Sequence, residues 1–296
     1  MQINGIPLER HLNRRREALK RQFLRPTHRT SFYAAMDRRR WLFDQLIDIY
    51  GNHTEVYPEF AKLNARRVGE AAGVLVPDLL DGPVSVDNLR LDDYGDSFVI
   101  KPNWGASSRG VFVLERRGDA YLNLMDGSTL SEDQVMTRVV RDVEASGRGR
   151  SDELIVERSI AVGGVRPFEW KVFTYYGEIG HTQVIQRVDG RGVSKFYGAE
   201  WEDLGPILSD RPHGSEIPLP NNPDAILDAA RRVSLQVPTG FMRVDLFESD
   251  AGPVLGEVCM LPGGDHYYRG GRDRRFGQMW LDANVRILAE RRPLIP

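Results

Sequence analysis

Two short apolar segments near the end of the chain constrain its fold most. Residues 241–247 (FMRVDLF) and 253–258 (PVLGEV) have the length and composition of strands, and a turn separates them. This pattern predicts a β-hairpin in the centre of a sheet. Because side chains two residues apart point to the same face of a strand, Arg243 and Asp245 are predicted to face the same way, and the adjoining strand presents Glu257.

Two carboxylates on paired strands beside an arginine predict a magnesium site. Mg²⁺ is usually held by one or two carboxylates together with phosphate oxygens of the substrate. The alternative is a structural ion pair between Arg243 and Asp245 on a half-buried sheet. The loop 261–264 (LPGG), which follows Glu257 closely and offers exposed backbone donors, favours the metal site.

A glycine- and serine-rich loop interrupts a second predicted hairpin. Residues 97–101 (SFVIK) and 111–115 (VFVLE) are the strands, and 103–110 (NWGASSRG) is the loop. Its backbone N–H groups can turn toward phosphate oxygens, and Lys101 adds a positive charge. The loop lacks the Gly-Lys-Ser/Thr ending of a Walker loop and the following helix of a dinucleotide fingerprint. An ordinary hairpin turn therefore stays open as the alternative.

The rest of the chain predicts an α+β fold, because antiparallel hairpins and separated helices replace a regular βαβ alternation. The strand 154–157 (LIVE) ends in Glu157, which could meet the adenine end of a nucleotide or equally cap a turn or a helix. A strand at 169–176 is predicted to pair with 181–187. Helices are predicted over residues 8–50, 62–73, 223–237 and 277–291.

The predicted N-terminal helix is rich in basic residues, and apolar residues recur between them at helical spacing. One interpretation is a solvated helical face. The other is a docking surface for an anionic partner: a second subunit, a polyanionic polymer, an RNA or a membrane face. The basic residues are Arg10, Arg14, Arg15, Arg16, Lys20, Arg21, Arg25, Arg29, Arg38, Arg39 and Arg40.

The overall charge and the cysteine content exclude several classes of protein. Lysine and arginine number 40 against 42 aspartate and glutamate, a net charge of -2, which argues against a basic nucleic-acid binder. A single cysteine excludes an intramolecular disulfide framework and a cysteine-rich zinc site. The first residues lack the apolar core of a signal peptide, and no stretch approaches the roughly 18 apolar residues of a membrane span. A soluble cytoplasmic protein is therefore expected.

Taken together and in this order, these motifs resemble the ATP-grasp superfamily over residues 58–285. Within the superfamily the chain is similar to the branch associated with teichuronopeptide biosynthesis, through FVIKPN, FEWKVFTYYGEI, FYGAEWEDLG, MRVDLF and GEVCMLPGG. The resemblance implies two α+β subdomains that clamp ATP between antiparallel sheets, with a helical N-terminal arm. The implied divisions are the arm at 1–57, a small lid subdomain at 58–156 and a catalytic subdomain at 157–296.

The resemblance also implies a role for each matching residue. ATP would be held by two phosphate-binding lysines, a mobile loop over the phosphates, an adenine hinge, and a ribose-binding carboxylate with a lysine two residues later. In that order, these residues are Lys62 and Lys101; Ser107, Ser108 and Gly110; Glu157, Arg158 and Ile160; and Glu169 with Lys171. The implied magnesium ligands are Asp245 and Glu257, and the implied catalytic groups are Arg243, Lys101 and the backbone donors Gly263 and Gly264.

The implied activity is that of a ligase that consumes ATP, requires one or two Mg²⁺ ions and joins a carboxylate to an amine through an acyl phosphate. Its partners would be small-molecule carboxylate and amine substrates, and a homodimer stays open. Two other functions stay open as alternatives. One is an ATP-grasp kinase that phosphorylates a small molecule or glycan, and the other is a nucleotide-bound scaffold whose basic arm docks a partner.

The chain departs from the family pattern at two places. Cys259 stands where the family usually has an asparagine. Because a thiol is a poorer Mg²⁺ ligand than an amide oxygen, one ion would be held more loosely or Asp265 would substitute. The Rossmann-like module that opens many members is replaced here by predicted helix, so the arm or a second subunit would complete the acceptor pocket.

A basic cluster follows the predicted metal strand. Arginine binds carboxylates through two parallel hydrogen bonds, so the cluster predicts a site for an acidic substrate such as glutamate or a uronic acid. The alternative is a solvated loop in which Asp273 is the internal partner. The predicted substrate residues are Arg269, Arg272 and Arg274, with Arg275 beside them.

Overall fold

The computed structural model describes residues 2–3, 6–7, 30–50, 61–103, 110–145, 154–188, 191–209, 211–214, 217–264, 266–290 and 292–293. The helices are α1 (Phe32–Tyr50), α2 (Lys62–Ala71), α3 (Glu132–Ala145), α4 (Pro223–Gln236) and α5 (Arg272–Ala289). Among these helices, none combines the length and the hydrophobicity that crossing a lipid bilayer requires. Two antiparallel sheets accompany the helices, which confirms the predicted α+β class.

The first sheet contains six strands and is covered by α3. A short ladder of β1 (Gln2–Ile3) and β2 (Ile6–Pro7) precedes it in the chain. The strands of the six-stranded sheet are β3 (Leu79–Val84), β4 (Ser97–Pro102), β5 (Phe112–Arg117), β6 (Ala120–Asn123), β7 (Ser128–Ser131) and β8 (Leu154–Arg158), in the order β3-β8-β4-β5-β6-β7. Val135, Val139 and Val143, spaced by four residues, form the apolar side of α3 that packs on this sheet. The predicted hairpin of 97–101 with 111–115 is confirmed as β4 and β5.

The second sheet contains five strands. They are β9 (Glu169–Tyr175), β10 (Glu178–Val188), β11 (Arg191–Tyr197), β12 (Met242–Ser249) and β13 (Gly252–Cys259), in the order β11-β10-β9-β12-β13. The predicted hairpin with the acidic residues is confirmed as β12 and β13, but its central position is wrong for one strand. β12 lies inside the sheet, whereas β13 is the last strand. Beyond β13 lie a single bridge from Leu75 to Val254 and helix α2.

The two faces of the second sheet differ in chemistry. One face is apolar and packs on α4 and α2 around residues such as Trp170. The opposite face carries Lys171 and Asp245, which the register places side by side. Further along the same face, Phe173 and Phe241 join an aromatic cluster formed with α1 and α5. These two helices therefore cover one end of the polar face.

Both terminal helices differ from the prediction in where they begin. Ser31 Oγ accepts a hydrogen bond from Ala34 N–H at 3.2 Å and caps the start of α1, so the predicted helix over 8–50 is not continuous there. Residues 8–29 lie outside the described residues. α5 begins at Arg272, whereas the prediction placed its start at 277. The prediction missed the first turn because that turn is charged and has no apolar periodicity.

Neither interpretation of the basic arm holds for Arg39. Its Nη1 donates to the carbonyl oxygens of Phe241 (2.8 Å) and Met260 (2.9 Å). Its Nη2 donates to Thr239 Oγ1 (2.8 Å), and the guanidinium lies 4.3 Å from the centre of the Trp280 ring. The side chain is buried. Arg39 is therefore an internal anchor of α1 and belongs neither to a solvated face nor to a docking surface.

The division into arm, lid and catalytic subdomains stays a prediction. Helix α2 belongs to the predicted lid, yet Ala65 and Ala72 lie in the core of the second sheet. A β-carbon at Gly69 would come 2.8 Å from the Leu255 side chain, so the helix approaches β13 closely. α2 therefore links the two predicted subdomains through direct packing.

Replacing Gly277 by alanine is expected to lower the free energy of unfolding by about 1–3 kcal/mol, as overpacking typically does. A β-carbon at Gly277 of α5 would lie 2.5 Å from the Ser31 backbone, and this clash outweighs the higher helix propensity of alanine. Urea unfolding at neutral pH measures the change. The exposed neighbour Gln278 provides a control, because Gln278→Ala should stay within about 0.5 kcal/mol of wild type. Unchanged or increased stability of Gly277→Ala would contradict the close approach of α1 to α5.

Candidate functional site

A buried cluster of opposite charges lies on the polar face of the second sheet. Asp245 of β12 is fully buried, and the register places it beside Lys171 of β9 and Glu257 of β13. Arg243 donates from Nε to Asp245 Oδ1 (2.6 Å) and from Nη2 to Asp245 Oδ2 (2.7 Å). Lys171 Nζ lies 2.8 Å from Asp245 Oδ2 and 2.6 Å from Glu169 Oε2. The structure thus brings the predicted catalytic residue Arg243 together with the predicted metal ligands Asp245 and Glu257, whereas Lys101 lies in the first sheet. The Arg243–Asp245 ion pair of the alternative interpretation is part of the same cluster.

Glu257 and Cys259 complete the cluster on the last strand. Arg243 Nη2 lies 3.3 Å from Glu257 Oε1, and the Cys259 thiol donates to the same oxygen at 3.2 Å. Desolvation and the neighbouring carboxylates raise the pKa of Cys259 well above its ordinary value, against the opposing effect of Arg243. The thiol is therefore protonated at neutral pH and is a weak nucleophile.

The basic groups keep Asp245 ionised in spite of its burial. Burial raises the pKa of Asp245, but Arg243 and Lys171 lower it by more, to about 2. For Lys171 burial acts in the other direction and lowers the pKa. The carboxylates of Asp245 and Glu169 outweigh burial and raise the pKa of Lys171 above its ordinary value. At neutral pH the cluster therefore holds fixed charges of both signs.

The donor atoms of this cluster fit a magnesium ion. Asp245, Glu257 and Cys259 can each present one ligand atom within 4.8 Å of the others. Carboxylate oxygens are ligands that Mg²⁺ prefers, whereas a protonated thiol is not. A carboxylate has about four lone-pair sites, and the contacts of Asp245 with Arg243 and Lys171 use three of them, two on Oδ2 and one on Oδ1. Cys259 would therefore neighbour a cation held here and would not be its ligand. The predicted substitute Asp265 lies outside the described residues.

A second ion pair lies in the first sheet. Strands β4 and β8 are neighbours, which brings Lys101 Nζ to 2.6 Å from Glu157 Oε2. Arg66 of α2 approaches the other oxygen of Glu157 at 3.7 Å. Lys101 and Glu157 are both buried, so each neutralises the charge of the other in a site with little water.

The charges of both clusters act on Lys62. It is the first residue of α2, and its backbone N–H donates to the carbonyl oxygen of Asn103 at 3.2 Å. Burial lowers the pKa of Lys62, and Lys101 lowers it further, while Glu257 and Glu157 raise it. Carboxylates of both sheets, Glu157 and Glu257, therefore act on this one ammonium group.

The other predicted nucleotide-binding residues are less closely joined to these clusters. Arg158 is exposed and pairs with a surface aspartate at 3.1 Å. Ile160 is half-buried just after β8, and Gly110 has a φ of 67°. Ser107 and Ser108 lie outside the described residues. The roles of all five in nucleotide binding stay predictions.

Two of the three predicted substrate arginines contact the protein's own backbone. Arg269 Nη2 donates to the carbonyl oxygen of Ser209 at 3.5 Å, and Arg272 Nη2 donates to that of Leu204 at 3.4 Å. Arg274 is exposed in the first turn of α5. These contacts tie the segment after β11 to the start of α5, and recognition of an acidic substrate by the three arginines stays a prediction.

Sequence reasoning missed two arginines beside the predicted glycine donors. Arg40 of α1 donates to the carbonyl oxygen of Gly264 at 2.6 Å. Arg211, between β11 and α4, donates to that of Gly263 at 2.9 Å. An arginine that binds a backbone carbonyl leaves no spacing pattern in a sequence, and the only signal for Arg40 is its membership of a basic run.

This chain is similar to known proteins both in sequence and in fold. Residues 71–281 match the family described as TupA-like ATPgrasp. No curated protein gives a significant match. The structure is similar to the D-alanine–D-alanine ligase from Bacillus anthracis, with 18% sequence identity and a TM-score of 0.50 over 78% of this chain and 69% of the ligase.

Two further solved structures have lower TM-scores. D-cycloserine synthetase DcsG is 15% identical with a TM-score of 0.43, over 88% of this chain and 81% of the synthetase. The ATP-grasp ligase PsnB, in complex with its minimal precursor, Mg and ADP, is 13% identical with a TM-score of 0.43, over 79% of this chain and 60% of the ligase.

The family match covers most of the chain and includes both sheets with the charged residues on their strands, whereas Lys62 and Arg66 precede it. The similarity to the Bacillus anthracis ligase independently supports the fold, with two antiparallel sheets and helices. The resemblance expected from the ordered motifs is confirmed. The chain therefore belongs to the TupA-like ATP-grasp family.

Proposed function

We propose that this protein is a ligase that uses ATP and Mg²⁺ to join a carboxylate to an amine. One observation carries the proposal: Asp245 and Glu257 face each other on paired strands with the Arg243 guanidinium between them. The fold is similar to that of the D-alanine–D-alanine ligase from Bacillus anthracis, whose name describes the joining of two amino acids. Membership of an ATP-grasp family supports ATP as the energy source.

The chemistry explains why such a site needs concentrated positive charge. A carboxylate does not react with an amine at neutral pH, because its leaving group is an oxide. A carboxylate oxygen therefore attacks the γ-phosphorus of ATP, ADP leaves, and an acyl phosphate forms. The amine then attacks the acyl carbon, phosphate leaves with the C–O electron pair, and the nitrogen loses a proton to give the amide.

The two reactants of the first step are both anions, so the protein must offset their repulsion. Lys62 and Lys101, which are both buried, would bind phosphate oxygens, and Arg243, which contacts both proposed metal ligands, would face the acyl group. Positive charge that is already in place stabilises the transition state without reorganisation. Magnesium, held by Asp245 and Glu257, would supply further charge to the phosphates.

A hydroxylamine screen tests the proposal. Protein, ATP, Mg²⁺ and hydroxylamine are incubated with single carboxylic acids, among them amino acids and sugar acids. Hydroxylamine converts an acyl phosphate into a hydroxamate, which gives a coloured iron complex, and ADP is measured in parallel. At least one acid should give hydroxamate and ADP in equal amounts, and EDTA should abolish both.

The screen also separates the alternatives. ADP release that depends on a hydroxyl compound, without hydroxamate, would identify a kinase and contradict the ligase. ATP binding without ADP release in the presence of any acceptor would identify a scaffold and contradict it equally. When an acid is found, replacing hydroxylamine by amines and detecting the amide by mass spectrometry identifies the second substrate.

A further inference from the structure

Three arginines hold three consecutive carbonyl groups of the loop 262–264, which follows β13. Arg243 Nη1 donates to the Pro262 oxygen at 2.7 Å, and Arg211 Nη2 donates to the Gly263 oxygen at 2.9 Å. Arg40 Nη2 donates to the Gly264 oxygen at 2.6 Å. We refer to these three contacts as the arginine clamp.

We propose that Arg40 and Arg211 are positioning residues which, with Arg243, aim the backbone N–H groups of this loop at the reacting carbonyl group. The proposal rests on the ligase function proposed above and adds residues to its site. Neither residue need touch a substrate, because each acts through a peptide group of the loop.

Peptide geometry turns a contact with one atom into control of another. In a planar trans peptide, the carbonyl oxygen of one residue and the N–H of the next point in opposite directions. The described peptide bonds of this loop are trans. Fixing the oxygen of Pro262 on Arg243 and that of Gly263 on Arg211 therefore fixes the N–H groups of Gly263 and Gly264 on the side away from these arginines. Arg40, on the Gly264 oxygen, holds the end of the same loop in place.

The loop sequence suits this close approach. Gly263 and Gly264 have φ values of 80° and 93°, a region that favours glycine. A β-carbon at Gly263 would lie 2.6 Å from Arg243 Nη1, and one at Gly264 would lie 2.8 Å from Arg211 Nη2. Both glycines are exposed, so this part of the loop is open to a bound molecule.

The clamp joins distant parts of the chain. Arg40 comes from α1, Arg211 from the connection between β11 and α4, and Arg243 from β12. The adjacent Arg39 anchors α1 on the carbonyl oxygens of Phe241 and Met260, at the two chain ends of the β12–β13 hairpin. Docking of α1 therefore sets the position of Arg40, and the arm takes part in completing the site.

The charges around the loop favour an oxyanion. Arg40, Arg211 and Arg243 bring three guanidinium groups to this loop. A charged donor on a peptide oxygen also polarises that peptide and strengthens its N–H as a donor. Negative charge that develops on the acyl oxygen during amine attack would meet these N–H groups.

The test uses Arg40→Gln and Arg211→Gln, each beside its lysine counterpart. With an acid found by the hydroxylamine screen, kcat should fall about 10-fold for each glutamine variant, while KM for ATP and the melting temperature stay near wild type. Lysine should restore part of kcat. Hydrogen–deuterium exchange of the peptide that contains residues 262–264 should become faster in the glutamine variants.

Arg232→Gln is the matched control, because Arg232 also donates to backbone carbonyl oxygens, those of Ala72 and Gly73, on the opposite side of the sheet. It should leave kcat and exchange of the loop unchanged. Exchange needs no substrate, so failure of the clamp is separable from failure of the ligase function. Unchanged exchange in both glutamine variants, or faster exchange with wild-type kcat, would overturn the proposal, whereas absence of hydroxamate with wild-type protein would overturn the ligase function itself.

Discussion

Replacing Asp245 by asparagine is expected to reduce ATP-dependent turnover by about 100- to 1000-fold, the range found when a preorganised charged or polar group is removed from an active site. The substitution removes a proposed cation ligand and also one partner of the bidentate contact that orients Arg243. The hydroxylamine assay measures the loss. Asp250→Asn is the control, because Asp250 is exposed in the turn of the same hairpin.

The same substitution has a predictable effect on stability. Asp245 is fully buried and accepts hydrogen bonds from both Arg243 and Lys171, and breaking such a buried pair typically costs about 3–5 kcal/mol. The pKa of Asp245 is about 2 in the folded protein, below the ordinary value of about 3.9 for an unfolded aspartate. Its contribution is therefore complete above about pH 4 and is lost as the pH falls toward 2.

Urea unfolding of wild type and Asp245→Asn at neutral pH and at successively lower pH values checks both statements. The difference in unfolding free energy should be largest at neutral pH and should shrink in the acid range. Wild-type turnover in a folded Asp245→Asn variant would remove Asp245 from the proposed metal site, whatever the stability data show.

Local patterns made the strands and the acidic pair predictable. Arg243 and Asp245 share a strand and are two residues apart, so the period of two alone places them on one face. Glu257 lies on the next strand of a hairpin, where the short connection fixes the partner strand. Residues near each other in sequence are thus brought together by rules that need no knowledge of the rest of the fold.

Contacts between distant strands could not be obtained in this way. The position of Lys171 two residues after Glu169 predicts that both side chains lie on one face of a strand. The pairing of Lys171 with Asp245 depends on β9 and β12 being neighbours, which no local pattern specifies. The Lys101–Glu157 pair similarly requires β8 to lie beside β4. The order of strands in a sheet is decided by packing of the whole chain and not by the strand segments themselves.

The basic arm shows why composition was a poor guide to its role. Adjacent arginines on a helix point in different directions, so Arg38 is exposed while Arg39 is buried and Arg40 reaches the glycine loop. A stretch that suggests one charged surface therefore contains separate structural and proposed positioning groups. Arg39 and Arg40 both donate to backbone carbonyl oxygens. Because every residue type has a carbonyl group, the amino-acid sequence does not reveal which residues accept these hydrogen bonds.

Lys101→Met is expected to weaken ATP binding by about 10- to 100-fold, because a hydrogen bond to a charged group typically contributes about 1.5–3 kcal/mol. Lys101 is buried beside Glu157 and adjoins Lys62, in the position of the proposed phosphate-binding pair. Methionine keeps an unbranched apolar side chain and removes the charge. Titration calorimetry with a non-hydrolysable ATP analogue and Mg²⁺ measures the dissociation constant.

Two further variants separate binding from folding. Lys195→Met is the matched control: the register aligns Lys195 with Val184 and Trp170, on the face of the second sheet away from Asp245, so the analogue should bind as to wild type. Lys101→Met leaves the buried Glu157 carboxylate poorly paired, so adding Glu157→Gln should recover part of the melting temperature without recovering affinity. Removing a buried charge that binds a nucleotide phosphate must weaken nucleotide binding. Wild-type affinity in a folded Lys101→Met variant would therefore show that the Lys101–Glu157 pair is purely structural and that the phosphates bind elsewhere.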